Sequence, residues 1–378
     1  MTKAPAYLET KNHYEILDGL RGVAAILVVI FHVFEAYSGN RFKQIINHGY
    51  LAVDFFFVLS GFVVAYAYDD RWGKMTQWDF YKRRLIRLQP MVIMGSIIGA
   101  IFFYTQGGQL FPLIDQTPVW KMLLVMLVGF TMLPLPISMD IRGWQEMHPL
   151  NGPAWSLFFE YIANILYALI FRHFSKKVLA VFVVIFALVL IQFLVMGPQG
   201  DVIGGWSING TQLYIGITRL MYPFFAGILL CRVGKLIHIK NAFTVCSLML
   251  IVVFFIPRIG DEHTLWMNGI YESVAIILVF PLIVAIGAGG HITGKFAQKA
   301  CKFLGDISYP IYITHYALIY TYTAWVIDDK IPFAKGMWYG AVLVIASVAI
   351  AWACLKWYDE PVREWLKKRF LMKKVASN

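Results

Sequence analysis

Long apolar stretches alternate with short charged segments along the whole chain. A bilayer core about 30 Å thick requires about 20 apolar residues per crossing helix, and eleven stretches come close to that length. These stretches are 18–38, 49–68, 88–106, 120–136, 153–172, 178–196, 212–232, 242–257, 269–288, 307–327 and 336–357. The pattern predicts an all-α, polytopic integral membrane protein.

The charged segments indicate how the predicted helices are oriented. Basic residues concentrate in the segment 71–87 and in the C-terminal segment 361–378, and positively charged loops stay in the cytoplasm. Both termini are therefore expected to be cytoplasmic, which requires an even number of crossings. Because eleven is odd, the short stretch 120–136, which closes with two prolines, is expected to be re-entrant or interfacial.

The predicted organisation is about ten transmembrane helices plus one short re-entrant or interfacial helix. A cytoplasmic N-terminal segment covers 1–17, a transmembrane domain 18–360 and a basic cytoplasmic tail 361–378. The composition agrees, since 59% of the residues are hydrophobic and 15% are charged, against about 25% charged in soluble domains.

The net charge of +11, from 33 Lys and Arg against 22 Asp and Glu, would suggest nucleic acid in a soluble protein. Here the basic residues lie beside apolar stretches, so we expect the lipid bilayer as a partner and no nucleic acid. Four scattered cysteines show no paired spacing, which excludes a disulfide scaffold. We also expect no metal.

The first predicted helix carries four ionisable residues, which are costly inside a membrane and therefore candidates for function. Arg21 and His32 are eleven residues apart, about three helical turns, so they share one stripe roughly 16 Å apart. Asp18 and Glu35 lie three residues outside this pair. Histidine is well suited to remove a proton near neutral pH. The alternative is that Asp18 and Arg21 anchor the helix at the interface and His32 is a structural buried histidine.

Three arginines precede the third stretch. Arg84 and Arg87 are three residues apart and share a helical face, with Arg83 beside them. The planar fork of donors in a guanidinium group suits phosphate. We interpret them as part of a site for a phosphate-bearing ligand, although positive-inside topology also explains basic residues here.

Two carboxylates interrupt other apolar stretches. Glu160 requires a partner inside the membrane, and Arg21, Arg219 and His32 are candidates. Asp54 is interpreted as a cap or an interface residue. His315, in a later polar block, has no role that the pattern assigns.

Six separated motifs resemble the acyltransferase-3 superfamily of membrane-bound O-acyltransferases, and they occur in the order of that family. They extend from about Asp18 to Arg363, and they read RGVAAILVVIFH, VDFFFVLSGF, RRLIRLQP, WSLFFEY, GDISYPIYITH and DEP. The family's arginine, ten residues, histidine motif matches Arg21 and His32. Its RxxR motif matches Arg84 and Arg87, and its carboxylate after the WS motif matches Glu160.

The resemblance implies transfer of an acyl group, usually acetyl, from cytoplasmic acyl-coenzyme A to a hydroxyl of a cell-envelope or exported carbohydrate. The acceptor would be a carbohydrate or a glycolipid, and the location the bacterial inner membrane. Under this hypothesis His32 deprotonates the acceptor hydroxyl, with Glu35 or Glu160 orienting its ring. The donor-binding residues would be Arg83, Arg84, Arg87 and Arg21.

Two alternatives remain open from the sequence. A transporter or flippase of an anionic or lipid-linked substrate would use the same buried charges without acyl transfer. A non-catalytic membrane sensor would not need His32 and Arg21 on one helical stripe. The tryptophans Trp144, Trp206 and Trp266 could stack on sugar rings or could anchor the protein at the membrane interface.

Overall fold

The computed structural model describes residue 11 and residues 13–371, and within them the chain forms helices and no strand. The all-α prediction is therefore confirmed. The parts of the predicted segments 1–17 and 361–378 that fall on 1–10, 12 and 372–378 lie outside the described residues. The α-helices are α1 Glu15–Glu35, α2 Ala52–Tyr68, α3 Gln77–Phe102, α4 Val119–Gly129, α5 Ala154–Leu169, α6 Lys176–Met196, α7 Gly210–Val233, α8 Ala242–Phe255, α9 Trp266–Val274, α10 Phe280–Gly289, α11 Lys295–Asp328, α12 Phe333–Cys354 and α13 Glu360–Phe370.

Several helices have the length and apolar character of membrane spans, as expected for an integral membrane protein. Seven helical stretches in the described part of the chain meet both criteria, and α11, although 34 residues long, is not among them. Three apolar helices, α4, α5 and α8, are shorter. The number of about ten crossings therefore stays a prediction. The seven stretches are Glu15–Glu35, Gly49–Tyr68, Gln77–Gln106, Lys176–Met196, Gly210–Val233, Trp266–Gly289 and Phe333–Phe370.

The helix α4 occupies the stretch predicted not to cross. It has 11 residues, and at about 1.5 Å per residue it is roughly 16 Å long, too short for a 30 Å bilayer core. The chain after it, up to α5, contains only one short 3₁₀ turn, Ile137–Met139. This irregular segment, 130–153, contributes to the site described below.

Helix α2 packs against α7 with almost no separation between their backbones. A Cβ atom on Gly61 would lie 1.9 Å from the carbonyl oxygen of Phe224, and one on Gly227 would lie 2.1 Å from that of Val58. Small residues permit this approach between membrane helices. Gly61 is therefore a packing position between α2 and α7.

Helix α1 runs beside α11 along most of its length. A Cβ on Gly22 would lie 2.3 Å from the carbonyl oxygen of Leu304, so the two backbones touch near the start of α1. This contact brings the polar stripe of α1 against the polar block of α11, and the candidate site lies between them.

Candidate active site

Two adjoining cavities lie along α1. The larger one, the histidine cavity, has a volume of about 960 Å³ and is lined at one side by His32 and Glu35. The smaller one, the arginine pocket, has a volume of about 100 Å³ and is lined by Arg21, among others. Val53 and Tyr312 line both cavities. The opposite ends of the predicted α1 stripe therefore line two cavities that share the wall formed by Val53 and Tyr312.

The ring of His32 is held by the carboxylate one turn further along α1. Its Nδ1 lies 2.6 Å from Oε2 of Glu35, and the Tyr316 ring meets its edge with the centroids 4.8 Å apart. A neutral ring that donates from Nδ1 has a free lone pair on Nε2. His32 can therefore accept a proton from a molecule in the histidine cavity.

A second histidine, His315 on α11, stacks on His32 with the ring centroids 5.7 Å apart. Its Nδ1 lies 2.9 Å from the carbonyl oxygen of Ile311 and 3.0 Å from that of Tyr312, so Nδ1 is the donor. Its Nε2 is buried without a hydrogen-bond partner in the described part of the chain, and the residue lines the histidine cavity. The sequence pattern assigned no role to His315, which the structure places against His32 on α1.

Arg21 and Arg84 reach the arginine pocket from different helices. Nε of Arg21 donates to the Ser308 hydroxyl at 3.0 Å, and a terminal nitrogen donates to Asp18 at 2.5 Å. A terminal nitrogen of Arg84 donates to Oε1 of Glu160 at 2.6 Å. The hydroxyl of Ser60 donates to the same oxygen at 2.7 Å.

Arg87 also lines the arginine pocket but forms no hydrogen bond or ion pair with any residue that the structure describes. It lies within electrostatic range of Arg21, Arg84 and Arg363. Among the described residues, Nε of Arg84 is buried without an acceptor. The same is true of Nε of Arg83, which does not line the pocket. Unsatisfied guanidinium donors beside one another are a site where an anion would bind.

The structure brings some of the predicted residues together and separates others. Glu160 pairs with Arg84, so the three partners considered for it, Arg21, Arg219 and His32, were wrong. The carboxylate that contacts the His32 ring is that of Glu35.

The interpretation of Asp54 as a cap or an interface residue was also wrong. Its carboxylate is fully buried and pairs with Arg219 across α2 and α7, with the closest atoms 2.7 Å apart. Arg219 further donates to the carbonyl oxygens of Tyr50 and Gly204. This pair joins the two helices that the glycines bring into contact.

A third cluster, which no pattern in the sequence indicated, lies in the irregular segment 130–153. Arg142 is fully buried and its guanidinium carbon lies 3.6 Å from the centre of the Tyr320 ring. The Tyr320 hydroxyl donates to Glu146, whose other oxygen lies 3.6 Å from Nε of Arg142. Burial raises the pKa of Glu146 to about 7, although Arg142 acts in the opposite direction. Without helical or strand periodicity, nothing in the pattern places these residues together.

Two of the three tryptophans discussed above line the histidine cavity, namely Trp144 and Trp206. Trp266, at the start of α9, does not. Within residue 11 and residues 13–371, no group of three or more His, Cys, Asp or Glu side chains could hold a metal ion. That no metal takes part stays a prediction.

Comparison with known proteins identifies the family. A family model for an acyltransferase domain, Acyl_transf_3, matches residues 14–356. "Protein 2 in picA locus" of Rhizobium radiobacter is 34% identical over 167 residues, which are 42% of this chain and 82% of that protein. The O-acetyltransferase OatA of Staphylococcus aureus (strain NCTC 8325 / PS 47) is 22% identical over 363 residues, which are 92% of this chain and 57% of OatA.

The chain thus spans little more than half the length of OatA. No solved structure matches it significantly. The match of the family model over residues 14–356 covers most of the chain, so the resemblance noted from the six motifs and the predicted class of enzyme, an acyltransferase, are confirmed. This membrane protein belongs to the Acyl_transf_3 family of acyltransferase domains.

Proposed function

We propose that this protein transfers an acyl group, acetyl in the simplest case, from cytoplasmic acyl-coenzyme A to a hydroxyl of a cell-envelope or exported carbohydrate or glycolipid. One observation carries the proposal: the arginine pocket and the histidine cavity adjoin at Val53 and Tyr312. The proposed anion-binding group and the proposed general base therefore line neighbouring cavities, an arrangement that suits acyl transfer between two compartments.

The donor would enter from the end of α1 that carries Arg21. The basic segment 71–87 lies at this end of the bundle, and positive charge favours the cytoplasmic side. This orientation places both termini in the cytoplasm, and we take the membrane to be the bacterial inner membrane. Coenzyme A carries phosphates, which the unpartnered guanidinium of Arg87 and the free Nε donors of Arg83 and Arg84 would bind.

The arginine pocket is small, about 100 Å³, so it would exclude the nucleotide and would suit the acyl end of the pantetheine arm better. The nucleotide would remain outside, against the arginines. The thioester would then reach the Tyr312 end of the pocket, beside the histidine cavity. The distance between Arg21 and His32 along α1, roughly 16 Å, requires an elongated donor of this kind.

His32 would act as the general base. Its Nε2 removes the proton from the acceptor hydroxyl while the hydroxyl oxygen attacks the thioester carbonyl carbon. The carbon–sulfur bond breaks, the acyl group remains on the acceptor oxygen, and the departing thiolate takes the proton from His32. Glu35, 2.6 Å from Nδ1, stabilises the imidazolium in between. Glu160 would hold Arg84 in place and would not orient the histidine ring.

Incorporation of labelled acetyl groups tests this assignment. Membranes containing the full chain are supplied with radiolabelled acetyl-coenzyme A, and label is counted in the envelope carbohydrate fraction. We expect His32→Ala to lower the rate by roughly 100-fold or more, since general-base catalysis contributes about 10²–10⁴-fold. His263→Ala, in an exposed loop, is the matched control and should retain the wild-type rate.

Two results would reject parts of the proposal. Full activity of His32→Ala at equal membrane content would reject the base assignment. No incorporation by the wild-type protein, together with movement of an anionic or lipid-linked substrate without acyl-coenzyme A, would favour the transporter or flippase alternative.

A further inference from the structure

We propose that Trp144 and Glu146 form the subsite that binds the acceptor, an inference that rests on the proposed function. A sugar ring packs on Trp144 and one of its hydroxyls donates to Glu146, while a second hydroxyl lies at His32. The acceptor class is therefore a carbohydrate ring with at least two free hydroxyls, presented to the histidine cavity from outside.

The first support is an unsatisfied acceptor atom. Glu146 is 7% exposed and lines the histidine cavity, and its Oε2 is buried without a hydrogen-bond partner in the described chain. Arg142 offers that oxygen an ion-pair contact at 3.6 Å but no hydrogen bond. Buried polar atoms are nearly always hydrogen-bonded, and Glu146 lines the cavity, so a donor group on a ligand bound there would satisfy this oxygen.

The carboxylate is also rigidly held, as a recognition group must be. The Tyr320 hydroxyl donates to its other oxygen, Oε1. Arg142 stacks on the same tyrosine ring and donates to Gln106 at 2.6 Å and to the carbonyl oxygen of Pro149 at 2.8 Å. The hydrogen bond from Tyr320 and the nearby Arg142 restrain the rotation of the carboxylate.

The second support is an aromatic surface beside this oxygen. Trp144 is 39% exposed and lines the histidine cavity. Phe111 and Tyr320 hold it, with ring centroids 4.9 Å and 6.1 Å away. Trp206 lines the cavity from another loop, and its carbonyl oxygen accepts a hydrogen bond from Met147 at 2.7 Å. Binding sites of small molecules combine aromatic walls with a few placed polar groups in this way.

The subsite is connected to the proposed base through two rings. Tyr320, on Glu146, meets Tyr316 with centroids 4.5 Å apart, and Tyr316 meets His32 with centroids 4.8 Å apart. Both tyrosines line the histidine cavity. A ring bound at Trp144 therefore lies along a wall that ends at His32, which would determine the hydroxyl that is acylated.

The test measures acceptor kinetics of the full chain in nanodiscs. Acetyl transfer from acetyl-coenzyme A is followed with methyl glycosides of hexoses and of N-acetylhexosamines as probes. We expect Trp144→Ala and Glu146→Gln each to raise the KM for the accepted glycoside roughly 10-fold or more. The KM for acetyl-coenzyme A and kcat should stay within about twofold. Trp144→Phe should recover most of the loss, and Trp266→Ala, outside the cavity, should behave as wild type.

The possible results distinguish failure of the acceptor subsite from failure of the proposed function. Wild-type transfer with an unchanged glycoside KM in Trp144→Ala overturns the subsite and leaves the proposed function standing. A fall in kcat without a change in KM also overturns it, because that result indicates a structural role. Failure of the wild-type protein to acetylate any glycoside rejects the carbohydrate acceptor itself. If Glu146→Gln does not fold, Trp144→Ala alone decides.

Discussion

Arg84 and Arg87 lie three residues apart on α3, yet the structure predicts that their loss has different consequences. Arg84 pairs with Glu160 at 2.6 Å, and the two side chains are 8% and 17% exposed. Arg87 has no hydrogen bond or ion pair among the described residues and lies near Arg21 and Arg363. We therefore expect Arg84→Ala to destabilise the fold and Arg87→Ala to weaken donor binding only.

The magnitudes follow from these contacts. Removing one partner of a buried ion pair costs about 3–5 kcal/mol, and the residual exposure of Arg84 and Glu160 places the loss near the lower figure. Arg87→Ala breaks no hydrogen bond or ion pair among the described residues and relieves repulsion from the neighbouring arginines, so the free energy of unfolding should change by less than about 0.5 kcal/mol. Losing a charged hydrogen bond to phosphate costs about 1.5–3 kcal/mol, which weakens binding of acetyl-coenzyme A by roughly 10- to 150-fold.

The assay combines thermal unfolding with calorimetric titration of acetyl-coenzyme A, both in one detergent. Lys82→Ala, which removes an exposed charge from the same helix, is the control and should match wild type in both measurements. Replacing Arg84 and Glu160 together by leucine should recover most of the lost stability, since a buried pair can be exchanged for apolar residues at little cost. The reasoning is refuted if Arg87→Ala unfolds as early as Arg84→Ala, or if it binds the donor as wild type does.

Three further variants test the fold and the histidine cavity. Arg219→Met should lower the free energy of unfolding by about 3–5 kcal/mol by leaving Asp54 unpaired, and adding Asp54→Leu should restore it in the same unfolding assay. Burial raises the pKa of Glu146 from 4.5 to about 7, so protonation of this residue contributes roughly 3 kcal/mol to the free energy of unfolding. This contribution is fully present below pH 4.5 and is lost as the pH rises through 7. The difference in free energy of unfolding between wild type and Glu146→Gln should follow the same pH dependence, and a difference independent of pH would contradict it. Gly61→Leu should lower the unfolding temperature, because its Cβ would lie 1.9 Å from the Phe224 carbonyl oxygen and overpacking costs about 1–3 kcal/mol.

The candidate site was predictable where it followed helical periodicity. The spacing of Arg21 and His32 placed both on one stripe, and both line adjoining cavities. Glu35, three residues from His32, contacts its ring as the same geometry requires. Contacts within one helix depend on the sequence interval alone, and this is why these predictions needed no tertiary information.

Partners on other helices followed no such rule. Glu160 was left with three possible partners and pairs with a fourth, Arg84, because the choice depends on how α3 and α5 pack. Asp54 pairs with Arg219, which is 165 residues away in the sequence. The pair depends on the contact between α2 and α7, and although Gly61 permits a close helix contact, the sequence does not show which helix packs there.

The sequence by itself determined that the chain is all-helical, that it is apolar enough for a membrane, and which family it belongs to. Those properties reside in composition, in hydrophobic period and in short motifs, all of which are local. Only the tertiary structure decided that His315 stacks on His32 and that the irregular segment with Trp144 and Glu146 forms a wall of the histidine cavity. Such contacts arise from the packing of segments that are distant in the sequence, and the hydrophobic periodicity of each segment does not indicate which other segment it contacts.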